Sequence, residues 1–495
     1  MMIAVPVLVT FSAYLVLMLA IGYWAYKATN SVDDYILGGR KMGPAVTALS
    51  VGASDMSGWV LLGLPGAVYL GGLGEVWIGI GLIVGAFLNW QFVAKRLRVY
   101  TAYANNALTL PEFFERRFDD KKGILKLISA CTIILFFTFY AASGMVGGAI
   151  LFEKVFGMDY LHALVVGSLI IVSYTFIGGF FAVSWTDFFQ GCLMLIALLF
   201  VPIYLLTEPQ IQTGIDTIDP SMLQFITENT TIIGIISAAA WGLGYFGQPH
   251  ILSRFMAIEN VKAISKSKNI AMSWMFLALI GAMSVGLAGL IYFQNAPLEN
   301  PETVFIQLVQ VVFNPWIAGI LIAAILSAIM STIDSQLLVC SSVITEDFYR
   351  KWIKPDVSNR ELLLIGRFGV VIIALVAGLL ALDPKSNVLS LVSYAWAGFG
   401  AAFGPVVILS LFWKQYSRNG AIATILVGAI TVVLWKQLSG GIFDVYEIIP
   451  GFIFASISGV IMSIIFKPSE KVKSQFDGFE IELKAYEIEL KAYKS

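Results

Sequence analysis

The sequence predicts an all-α, polytopic membrane protein built around two inverted five-helix repeats. Three observations lead there. First, hydrophobic residues make up 58% of the 495-residue chain and charged residues only 13%, about half the usual charged share. Apolar runs of about 20 residues, enough to span a bilayer as a helix, recur throughout. Second, basic residues gather beyond alternate ends of these runs. Third, two runs are interrupted in mid-course by glycines, a proline and polar side chains.

Thirteen spans are expected, at residues 6–25, 43–64, 76–94, 127–151, 163–177, 185–206, 232–252, 270–293, 315–345, 366–382, 389–412, 420–435 and 448–466. Each should be helical, because lipid leaves a segment to satisfy its own backbone hydrogen bonds. The first run, Pro6–Ala25, has no basic residue before it and is long for a signal-peptide core, so it is read as a retained span. With the N-terminus outside and the C-terminus in the cytoplasm, of the 31 Lys and Arg residues only Lys154, Lys385 and Lys436 fall outside. The loop 207–230 carries acids and no base, whereas 95–126 carries Lys95, Arg96, Arg98, Arg116, Arg117, Lys121, Lys122 and Lys126. This asymmetry follows the positive-inside rule and supports an odd span count; the expected location is the cytoplasmic (inner) membrane.

The expected organisation is residues 1–42 for the first span and its loop, 43–206 for the first repeat, 207–412 for the second repeat with its outer loops, 413–466 for the last two spans, and 467–495 for a cytoplasmic tail. The tail repeats EIELKAY at 480–486 and 487–493. Ile481, Ala485, Ile488 and Ala492 share a helical stripe, and Glu480–Lys484 and Glu487–Lys491 are favourable pairs. Two heptads alone make a marginal helix, so the tail is read as partly frayed, or else as a docking or self-association helix.

The interruptions carry the functional argument. VGASDMSGWV (51–60) in the second span combines Gly52, Asp55, Ser57 and Gly58; WGLGYFGQPH (241–250) in the seventh combines Gly242, Gly244, Gly247 and Pro249. Broken helices are tolerated in a bilayer where freed backbone groups line an enclosed or wet cavity. The two breaks lie in antiparallel spans, five apart, as expected for inverted repeats around a transporter site; two glycine-rich packing faces are the alternative. In the ninth span, Ala328, Ser331, Thr332 and Ser335 share one face. Their hydroxyls could complete an oxygen-rich cation site with the second span, or bond back to their own helix.

Three acids fall in or beside these runs. Asp55 either attracts a cation or caps the following half-helix. Asp187 and Asp334 are expected to face a cavity or a partner, with interfacial water the alternative for Asp187. Trp59, Tyr140, Trp241, Tyr245 and Phe246 are candidates to wall a small apolar ring, and His250 is read as hydrogen-bonded structure. The net charge of −1 points away from nucleic acid. Cys131, Cys192 and Cys340 are dispersed and only His162 and His250 are available, which excludes a multi-histidine centre. No nucleophile–His–acid pattern is present, so an enzyme is not expected.

DDYILGGR (33–40), ALSVGASDMSGWVLLGLPGAVY (48–69), TFIGGFFAVSWTDFFQG (175–191), WGLGYFGQPHILSRFMA (241–257) and LVSYAWAGFGAAFGPVV (391–407) resemble the solute:sodium symporter family, the second, fourth and fifth its proline branch. The resemblance covers about residues 8–466. It implies thirteen helices with a leucine-transporter-like core and sodium-coupled uptake of L-proline by alternating access. It implies a sodium site from the carbonyls of Ala53, Met56 and Ala328 and the hydroxyls of Ser331 and Thr332. Asp55, Gly58 and Asp187 are then linked to sodium coupling. The proline pocket would use Ser57, Trp59, Tyr140, Trp241, Tyr245, Pro249 and His250, with Gln248 added here as a polar contact. One departure is Asp334, where the proline branch carries serine. Some family members bind a second sodium near the position of Asp187; Asp187, Ser331, Asp334 and Ser335 would form that neighbourhood here, or Asp334 simply faces the cytoplasmic vestibule. No obligatory protein partner is expected. The alternatives are a sodium symporter for another small amino acid or organic anion, and a membrane sensor.

Overall fold

The computed structural model describes residues 5–27, 32–175, 179–228 and 230–494. Residues 176–177, expected to end the fifth span, lie outside these, as do the side chains beyond residue 488 and with them the expected Glu487–Lys491 pair. The described chain is helical, apart from loops and one isolated bridge between Met42 and Ile258. Every expected span falls on a helical segment. Ten helical runs among the described residues are long and apolar enough to cross a membrane; one, Gly58–Tyr103, joins the second half of the second span to the third. Shorter segments correspond to the fifth span (Tyr160–Thr175) and the broken seventh.

The second span is Pro44–Asp55, a break at Met56 and Ser57, then Gly58–Leu61 and Gly63–Gly71. The seventh is Ile232–Ala239, a 3₁₀ stretch Ala240–Gly247, and Pro249–Ala257. Eight 3₁₀ residues exceed the usual three or four. Pro249 cannot donate to the turn before it, so a new helix starts there. The long helices Ile124–Phe156 and Pro315–Ser342, the fourth and ninth spans, pack along these breaks.

Polar contacts sort the loops into two ends. At one end, Arg40 donates to Met256 O and Ala107 O, Arg98 to Ile258 O, and Lys351 pairs with Glu115. At the other, Tyr160 donates to Ala381 O, Trp77 to Phe225 O, and Glu302 accepts from the amides of Val388 and Leu389. The first group all belongs to the side read as basic and the second to the opposite side, so the structure reproduces the two-sided division that charge suggested.

The tail is a docked helix, Glu470–Lys494. Phe479 stacks on Tyr100 with centroids 4.0 Å apart and Phe476 lies under the Arg117 guanidinium, 5.1 Å away. Asp477 pairs with Lys414 at 2.6 Å and Lys471 with Asp119 at 2.7 Å. The expected stripe does not dock: Ile481 and Ile488 are each 70% exposed. The buried face instead carries Val472, Phe476, Phe479 and Leu483, a spacing of four, three and four that begins ahead of the repeat and runs into its first copy.

Candidate functional site

A hydrogen-bond account of the second-span break shows what it frees. Ser57 N donates to Asp55 O at 3.0 Å rather than to Ala53 O, and Val60 N donates to Ser57 O at 3.1 Å rather than to Met56 O. The turn thereby releases the Ala53 and Met56 carbonyls from the i→i−4 ladder. The ninth span supplies hydroxyls to the first of these. Ser331 Oγ donates to Ala53 O at 2.8 Å and to Ala328 O at 3.1 Å, and Thr332 Oγ1 donates to Ala53 O at 3.4 Å. Ala53, Met56, Ala328, Ser331 and Thr332 are all buried. A hydroxyl can rotate its proton away and offer lone pairs, so this neutral oxygen cluster suits a small hard cation. Gly58 lets the ninth span come close: a Cβ there would lie 2.9 Å from Ile329 Cγ1.

The cap of the second half-helix is Ser57, whose Oγ accepts from Trp59 N at 3.4 Å. The capping option for Asp55 is therefore corrected: one of its carboxylate oxygens accepts from Tyr245 OH at 2.5 Å, and the other has no hydrogen-bond partner among the described residues. The Asp55 carbonyl receives the Trp59 indole N–H and the Tyr140 hydroxyl, each at 3.2 Å. One short break thus points the Ala53 carbonyl at the ninth span and orients two aromatic rings through the Asp55 carbonyl.

Those rings meet the seventh-span break. Trp59 and Trp241 lie 6.2 Å apart by centroid, and His250 makes edge contacts with Phe137 at 5.6 Å and Tyr140 at 6.2 Å. His250, expected to be hydrogen-bonded, is buried with neither ring nitrogen partnered among the described residues. Gln248 donates to Trp396 O at 3.3 Å, and its carbonyl oxygen has no partner among them. Pro249 opens the following helix and lines a cavity with Ser253, Arg254 and Ser335. Ser57, Trp59, Tyr140, Trp241, Tyr245, Gln248, Pro249 and His250 are all buried. Phe246, by contrast, is only part-buried.

Trp396, which sequence reasoning did not single out, belongs with this group. Its indole N–H donates to Trp241 O at 2.7 Å and its ring meets Tyr245 edge-on at 5.1 Å. Gly244 makes room for it, since a Cβ there would overlap the indole. The signal was a lone tryptophan amid small residues in the eleventh span.

Asp187 faces a partner rather than interfacial water. The helix begins at Phe180, so Asp187 lies two turns inside it and is fully buried. It accepts from Ser50 Oγ at 2.7 Å and from Arg254 Nη2 at 3.0 Å. Arg254, itself 1% exposed, also donates to Ser50 Oγ, His250 O and Ser335 Oγ. Within the expected second cation neighbourhood of Asp187, Asp334 and Ser335, the Arg254 guanidinium engages both Asp187 and Ser335. A buried charge calls for a partner, and Arg254 was the unmatched base in the quoted stretch 241–257.

Residues 35–428 match the Sodium:solute symporter family. The sodium/proline symporter of Escherichia coli is 52% identical over 492 residues, covering 96% of each chain. The high-affinity proline transporter PutP of Bacillus subtilis is 50% identical over 471 residues, covering 94% of this chain and 99% of that one. Among solved structures, a Na+-coupled sialic acid symporter in a substrate-bound outward-open state superposes with a TM-score of 0.79 at 20% identity, covering 94% of this chain and 99% of that one. MhsT in complex with L-phenylalanine gives 0.55 at 15% identity, covering 86% and 98%. With the family matched over most of its length, this chain belongs to the sodium:solute symporter family.

Proposed function

We propose that this protein takes up L-proline across the cytoplasmic membrane, driven by sodium, by alternating access. The observation that carries the reading is the double use of the second-span break. Across residues 53–59 it offers the Ala53 carbonyl to Ser331 and Thr332, the Asp55 carbonyl to Tyr140, and Trp59 to Trp241. Sodium is held by the carbonyls of Ala53, Met56 and Ala328 and the hydroxyls of Ser331 and Thr332. Proline lies on the other flank, its ring against Trp59, Tyr140, Trp241 and Tyr245, with Ser57, Gln248, Pro249 and His250 around its polar end. Half-helix ends at the breaks offer N–H groups to the carboxylate and carbonyls to the ammonium. Asp55 and Gly58 link the two sites.

Sodium bound at the break orders part of the proline pocket, and the two ligands strengthen each other equally at equilibrium. Rocking of one helical bundle against the other then exposes both to the cytoplasm. One charge crossing ~100 mV supplies about 2.3 kcal/mol, and a roughly tenfold sodium gradient adds about 1.4 kcal/mol. Together these support accumulation of roughly 500-fold. With Asp187 and Ser335 engaged by Arg254, we read one sodium per proline; a second at Asp187 and Asp334 would need Arg254 to swing away. Thirteen crossings, with the N-terminus outside and the tail inside, complete the reading.

Uptake of radiolabelled proline into sealed proteoliposomes tests it. Accumulation above the external level with sodium, and not with potassium, is expected. Failure in demonstrably active vesicles rejects proline, and competition by unlabelled amino acids and organic anions then identifies the substrate. Sodium-dependent proline binding without uptake supports a sensor.

A further inference from the structure

The seventh-span break is held from one side by the third span. Gly81, Gly85 and Asn89 recur every four residues along Val76–Leu88 and its first residue beyond. Each meets one backbone carbonyl of the stretch from Ala239, the last residue of the helix before the break, to Tyr245 within it. A Cβ at Gly81 would collide with Ala239 O and one at Gly85 with Gly242 O; Asn89 instead donates its side-chain N–H to Tyr245 O at 2.8 Å. The three carbonyls are spaced every three residues. Four residues of α-helix rise about 6 Å, and three residues of 3₁₀-helix also rise about 6 Å. An α-helical stripe of period four therefore stays in register with a 3₁₀ segment of period three, and would drift from a second α-helix placed alongside in that register. The two segments run parallel, as two odd-numbered spans must.

Asn89 ends the stripe and is the one member that bonds. It is 1% exposed, its amide oxygen has no hydrogen-bond partner among the described residues, and it opens a π-helical turn, Asn89–Val93. Tyr245 stands between Asp55, which its hydroxyl reaches, and Trp396, which its ring meets. Fixing the Tyr245 backbone therefore fixes a wall of the aromatic box and the partner of the break acid together.

We propose that Asn89 is a positioning residue for the substrate site: with Gly81 and Gly85 it holds residues 240–247 in their 3₁₀ form and aims Tyr245 into the pocket. This rests on the reading of Tyr245 as a wall of the proline site. The side chain touches neither proline nor sodium in that reading; it acts through the Tyr245 carbonyl.

The test compares wild type, Asn89→Leu, Asn89→Gln, Tyr245→Phe and the double variant Asn89→Leu/Tyr245→Phe in proteoliposomes, with uptake scaled to protein incorporated. Asn89→Leu keeps the shape and removes the donor, and loss of one such bond is expected to raise KM for proline about tenfold, with kcat within twofold. Asn89→Gln, which retains the donor, should recover most of that. The double variant should be no worse than the poorer single one. If Asn89→Leu does not reach the membrane, Asn89→Ser against Asn89→Ala makes the same comparison. An unchanged KM, a loss in kcat alone, or fully additive effects with Tyr245→Phe would overturn the proposal. If wild type does not carry proline, the substrate reading fails first; the same comparison with the substrate found by competition then decides the role of Asn89 separately.

Discussion

Asp187→Asn would leave the Arg254 guanidinium buried with its counter-charge removed. Breaking a buried pair from one side costs about 3–5 kcal/mol, whereas replacing both partners can be nearly neutral. Asp187→Asn and Arg254→Met should each lower the melting temperature in detergent, and the double variant should melt closer to wild type than either. Single variants that melt like wild type would remove the structural role of the pair. Ser331→Ala takes one hydroxyl from the oxygen cluster, and the sodium concentration for half-maximal uptake should rise about tenfold while maximal rate changes little. An unchanged sodium dependence would move the cation elsewhere. Asp334→Ser is expected to leave the sodium-to-proline ratio, measured from reversal potentials in proteoliposomes, as it was; a lower ratio would restore the second site. At this scale the sequence was most legible where residue type alone carries the chemistry, as with Ser331 and Thr332 at helical spacing. It was least legible where the partner is distant in the chain. Asp187 was noticed as an acid, but its match to Arg254, 67 positions on, is a property of packing.

The breaks were legible as elements because glycine and proline cluster there against an apolar background. What each break does was less so. Capping by Ser57 rather than Asp55 follows from the tight Ser57 N to Asp55 O turn, a backbone geometry with no side-chain signature. The 3₁₀ form of residues 240–247 depends on both neighbours: the third span on one side, and Trp396 and Phe399 of the eleventh on the other. Gly244→Ala would push a methyl into the Trp396 indole. Overpacking of this kind typically costs about 1–3 kcal/mol, so the variant should show reduced membrane abundance, and Gly244→Ala with Trp396→Phe should regain part of it. Normal abundance of the single variant would mean that the break is looser than its packing implies.

For the molecule as a whole, charge asymmetry and hydropathy reached further than any motif. The loops that touch one another in the structure are those assigned to the same side from Lys and Arg positions. The sequence leaves docking open for the tail but puts its face on the stripe within the repeat, whereas the docking residues Phe476 and Phe479 lie just before it. Phe479→Asp puts a charge against the face of Tyr100 and should detach the helix; limited proteolysis should then cut within 470–494 much faster than in wild type. Equal protection would show that the ion pairs alone hold it.

The docked tail also has a practical use. A 25-residue helix is a rod of about 37 Å, tied from Lys471 to Glu487 to the loops that follow the third and eleventh spans. A dye at exposed Ile488 would move with those loops, because the neighbouring Glu487 is paired with Lys95 at the end of the third span. Displacements of the loops during a cycle would then change its distance to a second dye, readable molecule by molecule without labelling the transport path.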